Sequence, residues 1–176
     1  GHGMGLVEGG KIVAVGSDIK VPAGAKIIDL GNATLLPGFI DAHVHLSVQM
    51  SDDWYKDFYN SVMRFPAEQA LYGSMYARKT LEAGFTTVRD LGGRDYVPLG
   101  LRNAINAGVI EGPRMLIANN FIGATGGHAD QAPFPPQRVA PLGPIDGVCN
   151  GPDECRAAVR YQIKYGADVI KFMPSG

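Results

Sequence analysis

The sequence predicts an α/β fold in which a small β module precedes a series of strand–helix units. Leu6–Glu8 and Lys11–Val15 are short, mainly apolar runs of strand type, and the Gly9-Gly10 pair between them is typical of a hairpin turn. From residue 35 onwards, short apolar runs alternate with segments of helical periodicity, which indicates parallel strands joined by right-handed crossovers. With 45% hydrophobic and 19% charged residues, the composition is that of an ordinary globular protein with a sizeable core.

The order of the elements can be read from the turn residues and the periodicity. The β module is expected to run to about Leu36 and to include two further strands, Lys26–Leu30 and Ala33–Leu36. The next strand, Leu36–Leu46, is entered through the Pro37-Gly38 turn. Later strands are predicted at Phe85–Arg89, Arg114–Asn119 and Asp168–Met173, and helices at Asp52–Arg64, from Pro66 to Gly84, at Val97–Ala107 and at Pro152–Tyr165. A long loop rich in glycine and proline, from Asn120 to Gly151, follows the third of these four strands.

Charge and hydropathy argue against several classes of partner. The formal net charge is −1, which favours neither nucleic acid nor an anionic membrane surface. No apolar run approaches the ~18 residues of a membrane-spanning helix. No signal peptide precedes the first predicted strand, so a cytoplasmic location is expected.

The chain has two cysteines, Cys149 and Cys155, whose spacing matches no zinc or redox motif. A disulfide between them is one interpretation, suited to an oxidising compartment. Two free thiols is the interpretation we favour from the sequence.

His43 and His45 lie one residue apart at the end of the predicted strand Leu36–Leu46. Side chains alternate along a strand, so both imidazoles point to the same face, with Cα atoms roughly 6.6 Å apart. Imidazoles at that separation can converge on one metal ion. The alternative is a pair of surface or hydrogen-bonded core histidines. Asp41, two residues earlier, would either orient an imidazole or cap a turn.

Four further polar residues lie at or just after the ends of the predicted parallel strands: Arg89, Asp90, His128 and Lys171. Because such ends meet at one edge of the sheet, these side chains and the two histidines are candidates for a single site. Lys171 interrupts an apolar strand, and a buried ammonium is costly unless it is paired or neutralised. Its alternatives are an ion pair with a carboxylate or an extended side chain that reaches the rim.

The other three residues have two interpretations each. His128, after two glycines, would orient or polarise a substrate carbonyl, or would be an exposed loop histidine. Arg89 and Asp90 are expected to form an ion pair beneath the site, with carboxylate binding by Arg89 as the alternative.

An aromatic stripe at helical spacing runs along the predicted helix Asp52–Arg64 and comprises Trp54, Tyr55, Phe58 and Tyr59. Core packing is the interpretation we favour, and a lid over a substrate is the second.

Four segments of the chain together resemble one enzyme family. The run LLPGFIDAHVHL, ending at Leu46, resembles the first barrel strand of the amidohydrolase superfamily. The segments Thr86–Gly93, Thr125–His128 and Gly166–Met173 are similar to the branch of prolidase-like Xaa-Pro dipeptidases and related carboxypeptidases. The resemblance extends from about Leu6 to Gly176.

The resemblance implies a small N-terminal β module followed by the first half of a TIM-type (β/α)8 barrel. Residues 1–36 would form an incomplete β-sandwich module, and residues 37–176 the first four βα units. A complete barrel takes about 250 residues, so the roughly 140 residues after the module correspond to about half of one.

It further implies a metal-dependent hydrolase of amide or peptide bonds, a dipeptidase or carboxypeptidase that cleaves near a carboxyl terminus or before proline by means of a metal-activated hydroxide. His43, His45 and Lys171 would bind one or two divalent ions, with zinc expected first. In the family, the lysine of the fourth strand is often carboxylated by CO2, and its carbamate bridges two metals.

The remaining roles follow from the same resemblance. Lys171 and His128 would be catalytic, His128 and Arg89 would bind a small peptide or amide substrate, and Asp41 and Asp90 would support the metal ligands from behind. Two more metal-binding histidines and a catalytic aspartate of the family have no counterparts in these 176 residues.

Two alternatives stay open. One is a cyclic-amide or lactone hydrolase of the same superfamily. The other is a non-catalytic half-barrel that self-associates or requires its missing C-terminal half.

Overall fold

The computed structural model describes residues 3–130 and 134–174. The chain divides into two compact units, Gly1–Leu36 and Pro37–Gly176. No helix in the described ranges is both long and apolar enough to cross a membrane.

The first unit contains the predicted hairpin. Strands β1 (Met4–Glu8) and β2 (Lys11–Gly16) pair antiparallel, with Glu8 opposite Lys11. Gly9 and Gly10 form the turn with φ of 56° and 76°, a left-handed conformation that glycine adopts without steric cost.

The two further strands predicted in this unit, Lys26–Leu30 and Ala33–Leu36, are absent from the described structure. Ile27, Ile28 and Leu35 are 75%, 70% and 74% exposed. The predictions are wrong because a strand needs a neighbour that accepts and donates its backbone hydrogen bonds, and no strand in the described ranges pairs with these residues. An apolar run is therefore not sufficient, without a pairing partner, to form a strand.

The second unit is built on a parallel sheet with the order β3-β4-β5, in which β3 is Phe39–Val44, β4 is Phe85–Asp90 and β5 is Arg114–Ile117. Helices α1 (Trp54–Met63), α2 (Pro66–Glu82), α3 (Val97–Asn106) and α4 (Pro152–Lys164) lie within two residues of their predicted bounds. A short 3₁₀ helix, Pro144–Asp146, lies in the long loop. The helix predictions are therefore confirmed.

The core lies on one face of this sheet. Val88, Met115 and Ile117 point towards α2 and α3 and pack with Ala77 and Leu101. The alternate residues of the same strands, including Arg89 and Leu116, are exposed on the opposite face. The sheet is thus covered by helices on one side and open on the other.

The fourth predicted strand, Asp168–Met173, is not a strand. The segment makes one isolated parallel bridge, between Ile122 and Phe172. The amides of Asp168 and Val169 both donate to the Ile117 carbonyl, at 2.8 and 3.2 Å. Asn119 has φ of 56°, which ends the extended conformation just beyond β5. The segment therefore has no long straight neighbour with which to build a ladder.

The cysteines form a disulfide between Cys149 and Cys155, so the prediction of two free thiols is wrong. Gly151, with φ of 80°, caps α4 and reverses the chain between the two residues, which brings their Cα atoms within 4.9 Å. Cys149 packs with Ile122 and Ala158 in a second, smaller core cluster.

Candidate active site

The structure brings the two strand-end histidines together. His43 lies within β3, His45 follows its last residue, and their ring centroids are 5.3 Å apart in an edge-to-face arrangement. His43 is exposed on the open side of the sheet and His45 is half-buried.

The tautomer of His45 is determined by a backbone contact. Its Nδ1 lies 2.7 Å from the Gly92 carbonyl oxygen, and a carbonyl only accepts hydrogen bonds. Nδ1 therefore carries the hydrogen, and Nε2 keeps the lone pair that a metal ligand requires. Gly92 has φ of 151°, and a Cβ there would lie 2.4 Å from Phe121 Cδ1, so glycine is required at this turn.

Asp90 holds this arrangement from inside the sheet. Its carboxylate is fully buried and accepts from the amides of Leu46, at 2.9 Å, and Gly92, at 3.1 Å. Burial raises the pKa of Asp90, while these two N–H donors and the charge of His45 oppose the rise. The Asp90 carboxylate thus fixes both Leu46, which follows His45, and Gly92, whose carbonyl accepts the hydrogen bond from His45.

Arg89 does not pair with Asp90, so the predicted ion pair is wrong. Arg89 Nε donates to the Ala42 carbonyl on β3, at 2.7 Å. Consecutive residues of a strand point to opposite faces, which sends Asp90 into the core and Arg89 to the open side.

His43 is surrounded by positive charge. Its pKa is lowered by partial desolvation and then by the charges of Lys171, His45 and Arg89, while Asp41 opposes the shift. A neutral imidazole is the form that binds metal. The carboxylate of Asp41 accepts from the backbone amide of His43, at 2.9 Å, rather than from an imidazole.

Lys171 is half-buried and lies beside Arg89 in the wall of a cavity of about 240 Å³, together with Leu91 and Phe172. Arg89 is on the open side of the sheet and lines the same cavity as Lys171, and the charge of Lys171 contributes to the lowered pKa of His43.

His128 lies apart from this group. It is exposed on the long loop, and its ring contacts Phe121, with centroids 5.9 Å apart. No hydrogen bond or ring contact joins it to His43 or His45 within the described residues.

The aromatic stripe of α1 is not in the core, so the core-packing interpretation is wrong. None of the α1 residues is buried, and Tyr55 is 81% exposed. Trp54 stacks on Phe58, and Phe58 stacks on Phe134 of the long loop. The stripe is a surface feature in the described structure.

The donor set fits part of a divalent metal site. Among the described residues no group of three or more His, Cys, Asp or Glu side chains is placed to hold a metal. His43 and His45 supply two imidazoles, whereas zinc centres take three or four protein ligands. A carbamate on Lys171 would add an anionic oxygen donor to these two imidazoles.

A sequence model of the Amidohydrolase family matches residues 34–176. This chain belongs to that family. The predicted family membership, with the prolidase-like proteins among its relatives, is therefore confirmed, and the chain is a member of a family of hydrolytic enzymes.

Three relatives illustrate the similarity. Ochratoxinase of Aspergillus niger is 32% identical over 97% of this chain and 38% of its own length. A solved Xaa-Pro dipeptidase with methionine in its active site is 36% identical, with a TM-score of 0.82 over 92% of this chain and 39% of that one. A prolidase complexed with N-methylphosphonate-L-proline is 32% identical, with a TM-score of 0.77 over 97% of this chain and 41% of that one. The chain spans about two-fifths of the length of these relatives.

Proposed function

We propose that this chain is the N-terminal part of a metal-dependent hydrolase that cleaves the amide bond of small peptides, with Xaa-Pro dipeptides as the first substrates to test. The observation that carries the proposal is the His43–His45 pair. One imidazole has its Nε2 left free by the Gly92 hydrogen bond, and the pKa of the other is lowered by desolvation and by the neighbouring positive charges. The similarity to prolidases and to ochratoxinase supports amide hydrolysis.

The proposed architecture is the first half of a TIM-type barrel. Three parallel strands with helices on one face and an open opposite face are compatible with strands whose open side lines a barrel interior. The segment 168–173 would take the fourth position beside β5, and residues 1–36 would belong to a separate β module.

The proposed metal ligands are His43, His45 and Lys171, with zinc as the first ion to test. These residues would hold the ion, which would supply Lewis-acid chemistry for polarising an amide carbonyl and activating water. Carboxylation of Lys171 by CO2 would convert an ammonium into an anion and remove one of the charges that now surround His43.

Arg89 and His128 are proposed to bind the substrate. Only the Nε of Arg89 is used by the Ala42 carbonyl, so the two terminal nitrogens of the guanidinium stay available for a carboxylate on the open side. For His128 the support is indirect: its ring contacts Phe121, and Phe121 is also the neighbour that a Cβ at Gly92 would meet.

Metal content provides the test. The chain purified without chelator is expected to contain zinc, manganese or cobalt by elemental analysis, and the His43→Ala/His45→Ala variant should lose it. His128→Ala is the matched control, because it removes an imidazole that lies apart from the pair. Equal metal in wild type and the double variant would contradict the ligand assignment.

Activity is expected only when the complementary half is present, because the described residues offer an incomplete ligand set. A panel of Xaa-Pro dipeptides, other dipeptides, cyclic amides and lactones, assayed with and without that half, would separate the peptidase from its alternatives. Turnover of cyclic amides or lactones but no dipeptide would exclude the proposed substrate class.

A further inference from the structure

A polar cavity of about 290 Å³ lies between α1, α2 and the turn after β3. The turn contributes Ser47 and Gln49, α1 contributes Lys56 and Asn60, and α2 contributes Tyr76. Neither His43, Lys171 nor Arg89 lines it. The Val48 amide donates to the His45 carbonyl at 3.2 Å, so the turn that forms one wall also carries the candidate metal ligand.

The charged side chains that line this cavity differ in whether they have a partner. Both oxygens of Asp57 accept from Ser51, which donates its backbone amide and its hydroxyl. Arg64 lies 3.7 Å from Glu68, and its guanidinium stacks on the Tyr72 ring. The ammonium of Lys56 has no ion-pair partner in the described parts of the chain.

The backbone of Lys56 is fixed at the start of α1, while its side chain is exposed at the cavity. Its backbone amide donates to the Asp53 carboxylate at 3.0 Å, the capping bond that begins α1. Asp53 does not line the cavity. This capping bond therefore holds the backbone of Lys56 without bringing a carboxylate into the cavity next to the Lys56 ammonium.

The uncharged groups around Lys56 add hydrogen-bond donors. No described hydrogen bond involves the side chains of Gln49, Asn60 or Tyr76, although all three line the cavity. Two amides, a phenol and an ammonium therefore face one small space, while the carboxylate in its wall is already occupied. The ammonium favours a ligand that brings negative charge, and the amides and the phenol can donate further hydrogen bonds to it.

We propose that this cavity binds the carboxylate of a molecule of amino-acid or dipeptide size. The volume is at the lower end of the range for ligand pockets and corresponds to roughly ten water molecules. The unpaired Lys56 ammonium, beside a carboxylate that Ser51 already binds, disfavours a cationic ligand, and the polar lining disfavours an apolar one. The proposal does not depend on the hydrolase activity, since binding can be measured on this chain alone.

The test uses two probes that differ only in charge. N-acetyl-L-alanine carries a carboxylate, and N-acetyl-L-alanine amide has nearly the same size without it. Titration followed by amide chemical shifts should show saturable binding of the acid, with shifts centred on Ser47–Gln49 and Lys56–Asn60. The amide should bind at least about tenfold more weakly, because the charge-assisted hydrogen bond is lost.

Variants then test whether the Lys56 ammonium is the group that binds the carboxylate. Lys56→Met keeps the length of the side chain but should weaken binding of the acid at least about fivefold, whereas Lys56→Arg should retain it. Lys79→Met is the matched control, because Lys79 is exposed on α2 and lies outside the cavity. Tyr76→Phe, which removes one donor without a charge, should weaken binding less than Lys56→Met.

Three results would overturn the proposal. Equal binding of the acid and the amide would exclude carboxylate recognition. Unchanged binding in a folded Lys56→Met variant would exclude the assigned cation. Inorganic phosphate that competes as strongly as the acid would show an unspecific anion site instead.

Discussion

The hydrogen bond from His45 to the Gly92 carbonyl is fixed from both of its ends. On one side, the buried Asp90 carboxylate binds the amides of Leu46 and Gly92. On the other side, the Gly93 amide donates to the Asn119 carbonyl at 3.2 Å, so the turn that carries the acceptor is tied to the end of β5. The imidazole is thus oriented directly by a backbone carbonyl, while the Asp90 carboxylate acts on it only through the backbone amides that it binds.

Replacement of Gly92 by alanine should disturb this turn. The new Cβ would lie 2.4 Å from Phe121, at a backbone φ of 151° that L residues rarely adopt, so the free energy of unfolding should fall by about 1–3 kcal/mol. Gly100→Ala is the matched control. Gly100 lies within α3, and a Cβ added there would meet nothing within 4 Å, so alanine should be neutral or stabilise by up to about 1 kcal/mol.

Urea denaturation of both variants measures these differences. Metal content of Gly92→Ala should also fall relative to Gly100→Ala, because the clash with Phe121 displaces the backbone carbonyl that accepts from His45. A Gly92→Ala chain as stable and as rich in metal as the control would show that the turn does not orient His45.

At this scale, the sequence predicted which face of a strand a side chain points to. It did not predict the hydrogen bonds that join one strand to the next. The period of two placed His43 and His45 on one face, and their rings are adjacent in the structure. The same period, applied to Arg89 and Asp90, argues against the ion pair that we expected. The Gly92-Gly93 pair was the only sign in the sequence that the Gly92 carbonyl accepts a hydrogen bond from His45, because a backbone acceptor has no side chain to identify it.

At the scale of elements, helices were predicted more reliably than strands. A helix satisfies its backbone hydrogen bonds internally, so Pro66 at the start of α2 and Gly84 just after it were sufficient to place its ends. A strand depends on a neighbour. This difference explains why Lys26–Leu30 and Asp168–Met173 have strand-like sequences but no ladder in the structure.

The segment that carries Lys171 is anchored by Asp168 instead of by a ladder. Asp168 accepts from Arg102 of α3 at 2.7 Å and from the Ile117 amide at 3.0 Å. Arg102 is 15% and Asp168 34% exposed, so water competes only in part for this pair. Asp168→Ala should lower the free energy of unfolding by about 1.5–3 kcal/mol, as expected for hydrogen bonds to a charged group.

Asp153→Ala provides the comparison, because it also removes an aspartate that pairs with an arginine. The Asp153–Arg156 pair is on the surface of α4, with Asp153 94% exposed, so its loss should cost less than about 1 kcal/mol. Thermal and urea unfolding would compare the two. Equal costs would show that the Asp168 contacts do not anchor the segment.

At the scale of the whole second unit, the two faces of the sheet differ in what covers them. The α2 and α3 side is packed, while Leu116, Phe39 and Phe172 are 41%, 50% and 62% exposed. Strand β3 is also an edge, since β4 pairs with it on one side only. Exposed apolar side chains beside an unpaired edge favour association with another chain.

We therefore expect this chain to self-associate or to bind its complementary half through the open face. Sedimentation velocity over a wide range of protein concentration should show species larger than the 18.7 kDa monomer. Leu116→Lys should shift the distribution towards monomer, because it places a charge on that face without altering a backbone hydrogen bond of β5. Val109→Lys is the control, since Val109 is 75% exposed but lies in the turn after α3, away from the open face. A chain that stays monomeric at every concentration, or that responds equally to both substitutions, would show that the open face is not where association occurs.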